Sequence, residues 1–422
     1  MTNAPMNLLL KHSKFKIQNG TILITGSKSE TNRLLLLQAL YPNLEITNIS
    51  NSDDSKVMIE AFKKQTTEID VHHAGTAMRF LTAFFAIQEG REVVLTGSSR
   101  MKERPIKILV ETLNQLGAEI SYIENEGFPP IHIKGKKLLK NKVSLPANVS
   151  SQYISALLLI APKLENGLEL TLEGEITSMP YIKMTLALLN EIGIETSFLN
   201  KIVTVKPKLS IVNCQLSIES DWSSASYWFS IIALSEIGTK ITLSSFKKNS
   251  LQGDSALVEI YKDFGVETVF NQKNSITIFK SQNLKLDPSE NEQAKQTLNL
   301  ELQNSPDIAQ TIAVTCFGMG IGCHLTGLHT LKIKETDRLE ALKNELSKLG
   351  AIITVTNDSL TLEPSEKINE NISIKTYQDH RMAMAFAPLA LRVPIIIEDA
   401  EVVSKSYPTF WEDLKSVGFQ IG

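Results

Sequence analysis

Ser29-Glu-Thr-Asn-Arg-Leu-Leu-Leu-Leu37 passes from a short polar start into a wholly apolar run. The same design returns at Thr76-Ala-Met-Arg-Phe-Leu, Ser150-Ser-Gln-Tyr-Ile-Ser, Ser223-Ser-Ala-Ser-Tyr-Trp, Asp307-Ile-Ala-Gln-Thr-Ile and Asp379-His-Arg-Met-Ala-Met. The intervals are 47, 74, 73, 84 and 72 residues, so one is short and four cluster. Solenoid repeats run about 20–50 residues, so each unit here is larger than one solenoid turn. Six buried helices opening on Ser, Thr or Asp would supply six helix N-termini. Such ends bind anions through free N–H groups and the helix dipole.

A second, amphipathic helix follows each buried one. Five of these are expected at Pro105–Leu116, Pro180–Ile192, Ser255–Phe264, Glu335–Leu349 and Phe410–Val417, each running into a glycine: Gly117, Gly193, Gly265, Gly350 and Gly418. A glycine just past a helix adopts positive φ without strain. Four of the stretches behind these glycines alternate as strands do: Ala118–Tyr122, Ile194–Phe198, Val266–Phe270 and Ala351–Val355. Ser275–Phe279 and Ser359–Glu363 add further strands. The sixth amphipathic helix, Ser55–Lys64, lacks the glycine and falls in the short interval, where a strand pair is missing. Ser281–Asn299, rich in Asn, Gln, Lys and Glu, reads as a loop or insertion. Strands and helices mixed at this density imply α/β layers, and six units divide most simply into two domains of three. The N-terminal strand is free to pair with the C-terminal half.

The bulk numbers agree. A chain of 422 residues exceeds one ordinary core, and 42% hydrophobic with 21% charged residues describes a globular protein. A net charge of −3 argues against a general nucleic-acid binder. The N-terminal apolar run Leu8-Leu9-Leu10 is too short for a signal peptide, and no stretch of about 18 apolar residues is present to span a membrane. The expected compartment is the cytoplasm. Cys214, Cys316 and Cys323 show no metal-ligand spacing, and the last two lie in apolar surroundings as buried thiols.

Cations gather where these helices begin. Lys28 and Arg33 flank one start, where the dipole disfavours positive charge unless an anion shares the place. Gly75 opens another and would let a ligand approach the backbone, while Arg79, one turn on, needs a ligand or a packing ion pair. Ser99-Arg-Met-Lys-Glu-Arg-Pro105 carries four charges before a helix and reads either as a solvated face or as part of a site. Lys334-Glu-Thr-Asp-Arg338, Asp379-His-Arg381 and Ser404-Lys-Ser-Tyr-Pro408 complete the set. Lys28, Arg33, Arg104, Lys334, Arg338, Arg381 and Lys405 would together hold more than one anionic group. Asp307 and Glu335 stand among them as an acid/base pair.

Gly26-Ser-Lys-Ser29 with Asn32-Arg33, Ala74-Gly-Thr-Ala-Met-Arg79, Arg100-Met-Lys-Glu-Arg-Pro-Ile106, Val149-Ser-Ser-Gln152, Lys334-Glu-Thr-Asp-Arg338 and Asp379-His-Arg-Met-Ala-Met384 closely resemble the 5-enolpyruvylshikimate-3-phosphate synthases, in the right order and over almost the whole chain. The resemblance implies a two-domain inside-out α/β barrel of six βαβαββ-like repeats, the first of them trimmed. The domains would be residues 1–26 with 220–422, and 27–219, with the active site in the cleft between them. It implies enolpyruvyl transfer from phosphoenolpyruvate to the 5-hydroxyl of shikimate 3-phosphate, releasing phosphate, on the route to chorismate and the aromatic amino acids. No metal or organic cofactor, no nucleic acid and no membrane are expected, and the chain would act as a monomer.

Carried over by motif, Lys28, Ser29, Arg33, Ser150, Ser151, Gln152, Ser178, Tyr181, Asp307 and Lys334 look like shikimate-3-phosphate contacts. Lys28, Gly75, Arg104, Gln152, Arg338, Arg381 and Lys405 look like phosphoenolpyruvate contacts. The resemblance makes Asp307 the base for the 5-hydroxyl and Glu335, assisted by Lys28, the proton donor to the methylene carbon. Thr25, His73, Phe80, Met179, Thr330 and Lys332 depart from the family's usual proline, asparagine, proline, lysine, asparagine and arginine, which bears on affinity rather than on the reaction. Two alternatives share the scaffold. The UDP-N-acetylglucosamine enolpyruvyl transferases carry a reactive cysteine near the charge run, and Ser99–Ile106 has none. A non-catalytic ligand-binding relative is opposed by the joint presence of Lys28, Asp307, Glu335 and Lys405.

Overall fold

In each repeat the chain makes a strand, sinks a helix beneath it, and returns as a second strand parallel to the first. Parallel neighbours require a crossover long enough for a helix, and the apolar segments supply it. Glu68–Asp70 and Glu92–Thr96 pair in parallel around the helix Gly75–Ala86, and Lys142–Pro146 and Leu168–Glu173 around Ser151–Ile160. Thr297–Glu301 and Gly322–Thr326 enclose Ala309–Met319, and Ile372–Ile374 and Ile395–Ile397 enclose His380–Phe386. This is a computed structural model, and it describes residues 6–13, 20–148, 150–176, 179–283 and 297–422.

The chain forms two compact units, one continuous (Gly26–Ile218) and one discontinuous (Met1–Thr25 with Glu219–Gly422). At their boundary the repeats exchange first strands. Gly20–Ile22 pairs in parallel with Lys240–Leu243 and so serves the helix Trp222–Leu234. Cys214–Ser217 pairs in parallel with Leu44–Thr47 and serves the helix Lys28–Leu40. Strand and helix of one repeat thus come from distant stretches of chain. Leu8–Leu10 closes the last repeat, antiparallel to Ile395–Ile397, so the N-terminal strand does join the C-terminal half.

Two antiparallel strands follow the second helix in four repeats and complete four-stranded sheets. The trimmed repeat has no such pair: Leu44–Thr47 and Cys214–Ser217 stand as a two-stranded sheet, and the helix Asp53–Lys63 leads directly to Glu68–Asp70 of the next one. That accounts for the short interval. Helices Gly75–Ala86 and Ser151–Ile160 are apolar on nearly every face and pack against each other. Strands such as Ile131–Lys134 and Leu168–Glu173 instead alternate buried and accessible residues. One face of each such sheet therefore covers the helices and the other meets water.

The five predicted glycine stops all have positive φ: Gly117 at 109°, Gly193 at 79°, Gly265 at 73°, Gly350 at 101° and Gly418 at 110°. Other expectations need correction. Ser255–Phe264 is not one helix but a 3-10 turn, Gly253–Ala256, followed by a single α turn, Leu257–Ile260. Here Tyr261 and Phe264 go fully into the core, and the buried Lys280 ammonium bonds the carbonyls of Ala233 and Phe264 at 2.9 and 2.6 Å. That ammonium satisfies carbonyls at the ends of two neighbouring segments, which would otherwise be orphaned. Pro105 and Ile106 precede their helix, which begins at Lys107, and Glu335 precedes the helix Arg338–Lys348. Thr297–Asn299, read as part of a loop, belongs to the strand Thr297–Glu301, because its register places Leu298 opposite Cys323 in the core. The rest of that reading, 284–296, lies outside the described residues.

Of the six polar residues expected to open the buried helices, Ser150 and Asp379 act as side-chain caps. Asp221 rather than Ser223 caps Trp222–Leu234, and Asp307 sits in a 3-10 turn ahead of its helix. Lys28–Leu40 and Gly75–Ala86 follow Ser27 and Ala74, neither of which makes a side-chain cap bond. The N–H groups of these two ends remain available to a ligand.

Candidate active site

In the discontinuous unit, the first residue of the helix Arg338–Lys348 turns its guanidinium inward, where it is 2% exposed. Arg338 Nε donates to Asp379 at 2.7 Å, NH1 to Asp307 at 2.8 Å and NH2 to Glu335 at 2.9 Å. One arginine therefore ties together three chain segments through three carboxylates. Asp379 does double duty, because its other oxygen caps its own helix by accepting from the Arg381 N–H at 2.8 Å. Asp307 also faces Lys334 at 3.5 Å and Arg381 NH2 at 3.4 Å, while Arg381 NH1 bonds the Asp307 carbonyl at 3.1 Å. Three cations (Lys334, Arg338, Arg381) thus meet three carboxylates (Asp307, Glu335, Asp379).

Burial opposes the charge on Arg338, but Asp379, Glu335 and Asp307 outweigh it and hold the guanidinium above its ordinary pKa. For Arg381 burial is likewise overcome, by Asp307, Tyr227 and nearby aspartates. Glu335 and Lys334 keep 24% and 29% side-chain exposure, so the cluster has an open edge. Lys405 donates to the Gln378 carbonyl at 2.7 Å. Tyr377 and Gln378 reach that carbonyl position through two consecutive left-handed conformations, φ 55° and 56°, which non-glycine residues seldom adopt.

The continuous unit holds its cations differently. Arg33 is 3% exposed, with Nε on Thr185 Oγ1 at 2.8 Å, NH1 on the Ser29 carbonyl at 2.8 Å and NH2 on Ser155 Oγ at 2.9 Å. It lies between the rings of Phe80 and Tyr181, 5.6 and 5.7 Å from their centroids. The departure from proline at position 80 therefore fills space beside this arginine. Burial lowers the Arg33 pKa to about 10 against the weaker opposing pull of Tyr181 and Glu30, and among the described residues no carboxylate lies within 4 Å of its guanidinium. Arg79 is buried on carbonyls and a thioether, not in the ion pair considered from sequence.

The charge run divides. Arg100 pairs with Glu103 at 2.9 Å and Lys102 with Glu124 at 2.7 Å as a solvated face, but Arg104 turns back over Gly75. A Cβ at Gly75 would lie 2.4 Å from Arg104 NH1, so any larger residue there would push that guanidinium off this position. Ser150 accepts from the Gln152 N–H at 3.3 Å, and Gln152 Nε2 donates to Thr76 at 3.2 Å, joining the starts of two buried helices. Lys28 and Ser29 open the first helix, and Ser151 opens the third. Ser178 lies outside the described residues. The two groups of site residues, Asp307 to Lys405 and Lys28 to Tyr181, fall in different units.

Residues 62–414 match the family model of EPSP synthase (3-phosphoshikimate 1-carboxyvinyltransferase). The chain belongs to the EPSP synthase family. A 3-phosphoshikimate 1-carboxyvinyltransferase of Bacteroides fragilis is 45% identical over 407 residues, covering 95% of this chain and 96% of the relative. One from Haemophilus influenzae is 34% identical, covering 94% and 96%. The EPSP synthase structure from Acinetobacter baumannii superposes with a TM-score of 0.79 at 21% identity over 99% of both chains, which carries the fold. Among the described residues no helix is long and apolar enough to cross a membrane, and no group of three His, Cys, Asp or Glu is placed to hold a metal.

Two residues beside this family site escaped the sequence reading. Asp379 looked like a helix start only; its bond to Arg338 spans 41 residues and has no local signature. Asp254 is buried and accepts from Ser223 Oγ, and burial together with Asp307 raises its carboxyl pKa to about 7. A Gln-Gly-Asp turn before an apolar segment was its one visible signal. Thr330, standing for the family's asparagine, has a buried hydroxyl with no hydrogen-bond partner among the described residues.

Proposed function

We propose that this chain catalyses the reaction in its relatives' names, joining C2 of phosphoenolpyruvate to the 5-oxygen of shikimate 3-phosphate. The observation that carries this is the anchoring of Asp307 and Glu335 on one buried arginine, Arg338, with Glu335 and Lys334 at the open edge. Asp307 takes the proton of the 5-hydroxyl as its oxygen bonds C2, and Glu335 with Lys28 delivers a proton to the methylene carbon. In the second half the methylene carbon returns a proton, the C2–O bond to phosphate breaks, and phosphate leaves with the electron pair.

Lys28, Ser29, Arg33, Ser150, Ser151, Gln152, Ser178 and Tyr181, with Asp307 and Lys334, hold shikimate 3-phosphate. Lys28, Gly75, Arg104, Gln152, Arg338, Arg381 and Lys405 hold phosphoenolpyruvate. Fixed cations and open helix ends stabilise charge as it develops at C2 and on the departing phosphate. We place the enzyme in the cytoplasm as a monomer, in keeping with free cysteines of which Cys316 and Cys323 are buried thiols.

The test is phosphate release from phosphoenolpyruvate with shikimate 3-phosphate as acceptor. Turnover that depends on both substrates is expected. Release with UDP-N-acetylglucosamine instead, or binding without turnover, would overturn the proposal.

A further inference from the structure

We propose that Arg79 is a positioning residue for Arg104, clasping the turn that carries it onto the Gly75 backbone. The inference rests on the reading of Arg104 as a phosphoenolpyruvate contact and adds a residue that the family motifs leave without a role. Arg79 lies one turn into the helix Gly75–Ala86 and is 4% exposed. Its NH1 donates to the Gly75 carbonyl at 3.1 Å and to Met101 Sδ at 3.5 Å, and its NH2 donates to the Pro105 carbonyl at 2.9 Å.

Those acceptors bracket Arg104. Met101 receives the Arg104 N–H on its carbonyl at 3.0 Å, and Pro105 is the next residue. The Pro105 carbonyl takes a second bond, from Tyr153 OH at 2.6 Å, so the turn is pinned from two helices. The floor beneath the Arg104 guanidinium is Gly75, the residue whose carbonyl Arg79 also holds. A planar fork serves these acceptors at once, which a lysine ammonium on a flexible stem does not reproduce.

A purely structural residue here would be easier to bury uncharged. Arg79 instead stays a cation with no carboxylate partner among the described residues, and burial, then Arg104, lower its pKa to about 10. Two guanidiniums held together without a counter-charge, beside a helix start lacking a side-chain cap, leave an unfilled demand for an anion. Burying Arg79 on neutral acceptors is the cost of holding Arg104 ready for that anion.

The test compares steady-state kinetics of the full chain with Arg79→Lys, Arg104→Gln and the double variant. Arg79→Lys should raise the KM for phosphoenolpyruvate about ten-fold, hold that for shikimate 3-phosphate within about two-fold, and add less than about two-fold to Arg104→Gln. Tyr153→Phe, which removes the second donor to Pro105 without changing charge, should give the same selective rise at a few-fold and decides the matter if Arg79→Lys does not fold. An unchanged KM in both Arg79→Lys and Tyr153→Phe, equal rises for both substrates, or effects additive with Arg104→Gln would overturn the inference. If Arg104→Gln itself leaves the phosphoenolpyruvate KM unchanged, the reading of Arg104 falls, and this inference with it.

Discussion

Arg338 and Arg33 are nearly equally buried, yet they stand at opposite ends of what burial does to an arginine. Arg338 meets three carboxylates and its pKa rises; Arg33 meets hydroxyls, carbonyls and two aromatic rings, and its pKa falls to about 10. The same contrast extends to Arg381 against Arg79. The discontinuous unit surrounds Arg338 and Arg381 with carboxylates, and Arg338 in turn fixes Asp307 and Glu335 in place. The continuous unit buries Arg33 and Arg79 on neutral acceptors, and buried cations so held near open helix ends attract anions. One fold repeated six times is thus specialised by the acceptors it offers to buried arginines.

The largest expected effect is chemical. Asp307→Asn should lower kcat by roughly 10²–10⁴-fold, the usual worth of a positioned general base. The KM for phosphoenolpyruvate should stay within a few-fold, because Arg381 NH1 bonds the Asp307 backbone carbonyl, which the substitution keeps. A kcat within ten-fold of wild type would place the proton acceptor elsewhere and remove the chemical half of the comparison.

The next effect separates the two arginines by stability. Arg338→Met takes from Asp379, Asp307 and Glu335 the guanidinium they share and should cost about 3–5 kcal/mol, as breaking a buried ion cluster does. Arg33→Met leaves Ser155 and Thr185 bonded to each other at 2.9 Å and should cost no more than about 2 kcal/mol. Denaturant midpoints measure both, and equal losses would break the contrast.

The last effect is read against pH and concerns Asp254, whose carboxyl is pushed to about 7 from an ordinary 3.8, chiefly by burial and then by Asp307. The folded chain holds this proton more tightly than the unfolded chain. The resulting stability is complete below about pH 4 and is lost as pH rises through 7. Between pH 4 and 8 the wild type should therefore lose on the order of 4 kcal/mol relative to Asp254→Asn. Parallel stability curves for the two proteins would show that the carboxylate-rich unit leaves Asp254 unperturbed.

Much of the fold was legible because its signals are local. Apolar runs marked the buried helices, glycines marked their ends, and a short interval marked the trimmed repeat. Caps were less legible: Ser223 and Asp307 look like caps, but Asp221 takes the first role and Arg338 recruits the second. The helix expected at Ser255–Phe264 is a 3-10 turn and one α turn, although Tyr261 and Phe264 are buried as its apolar face implied. In the site, the cations at helix starts were visible as a class. Their individual fates were not, since Arg104 shares one stretch with the paired surface charges of Arg100 and Lys102.

By itself the sequence determined the sixfold repeat, the positions of the helix starts, the residues available for anions and proton transfer, and membership of the family. Tertiary structure alone decided which of those cations are neutralised. The reason is one of range. Periodicity and turn chemistry act over a few residues, whereas Arg338 finds Asp379 41 residues on and Arg33 finds Thr185 152 residues on. A buried charge takes its character from such partners, and only the folded chain brings them within reach.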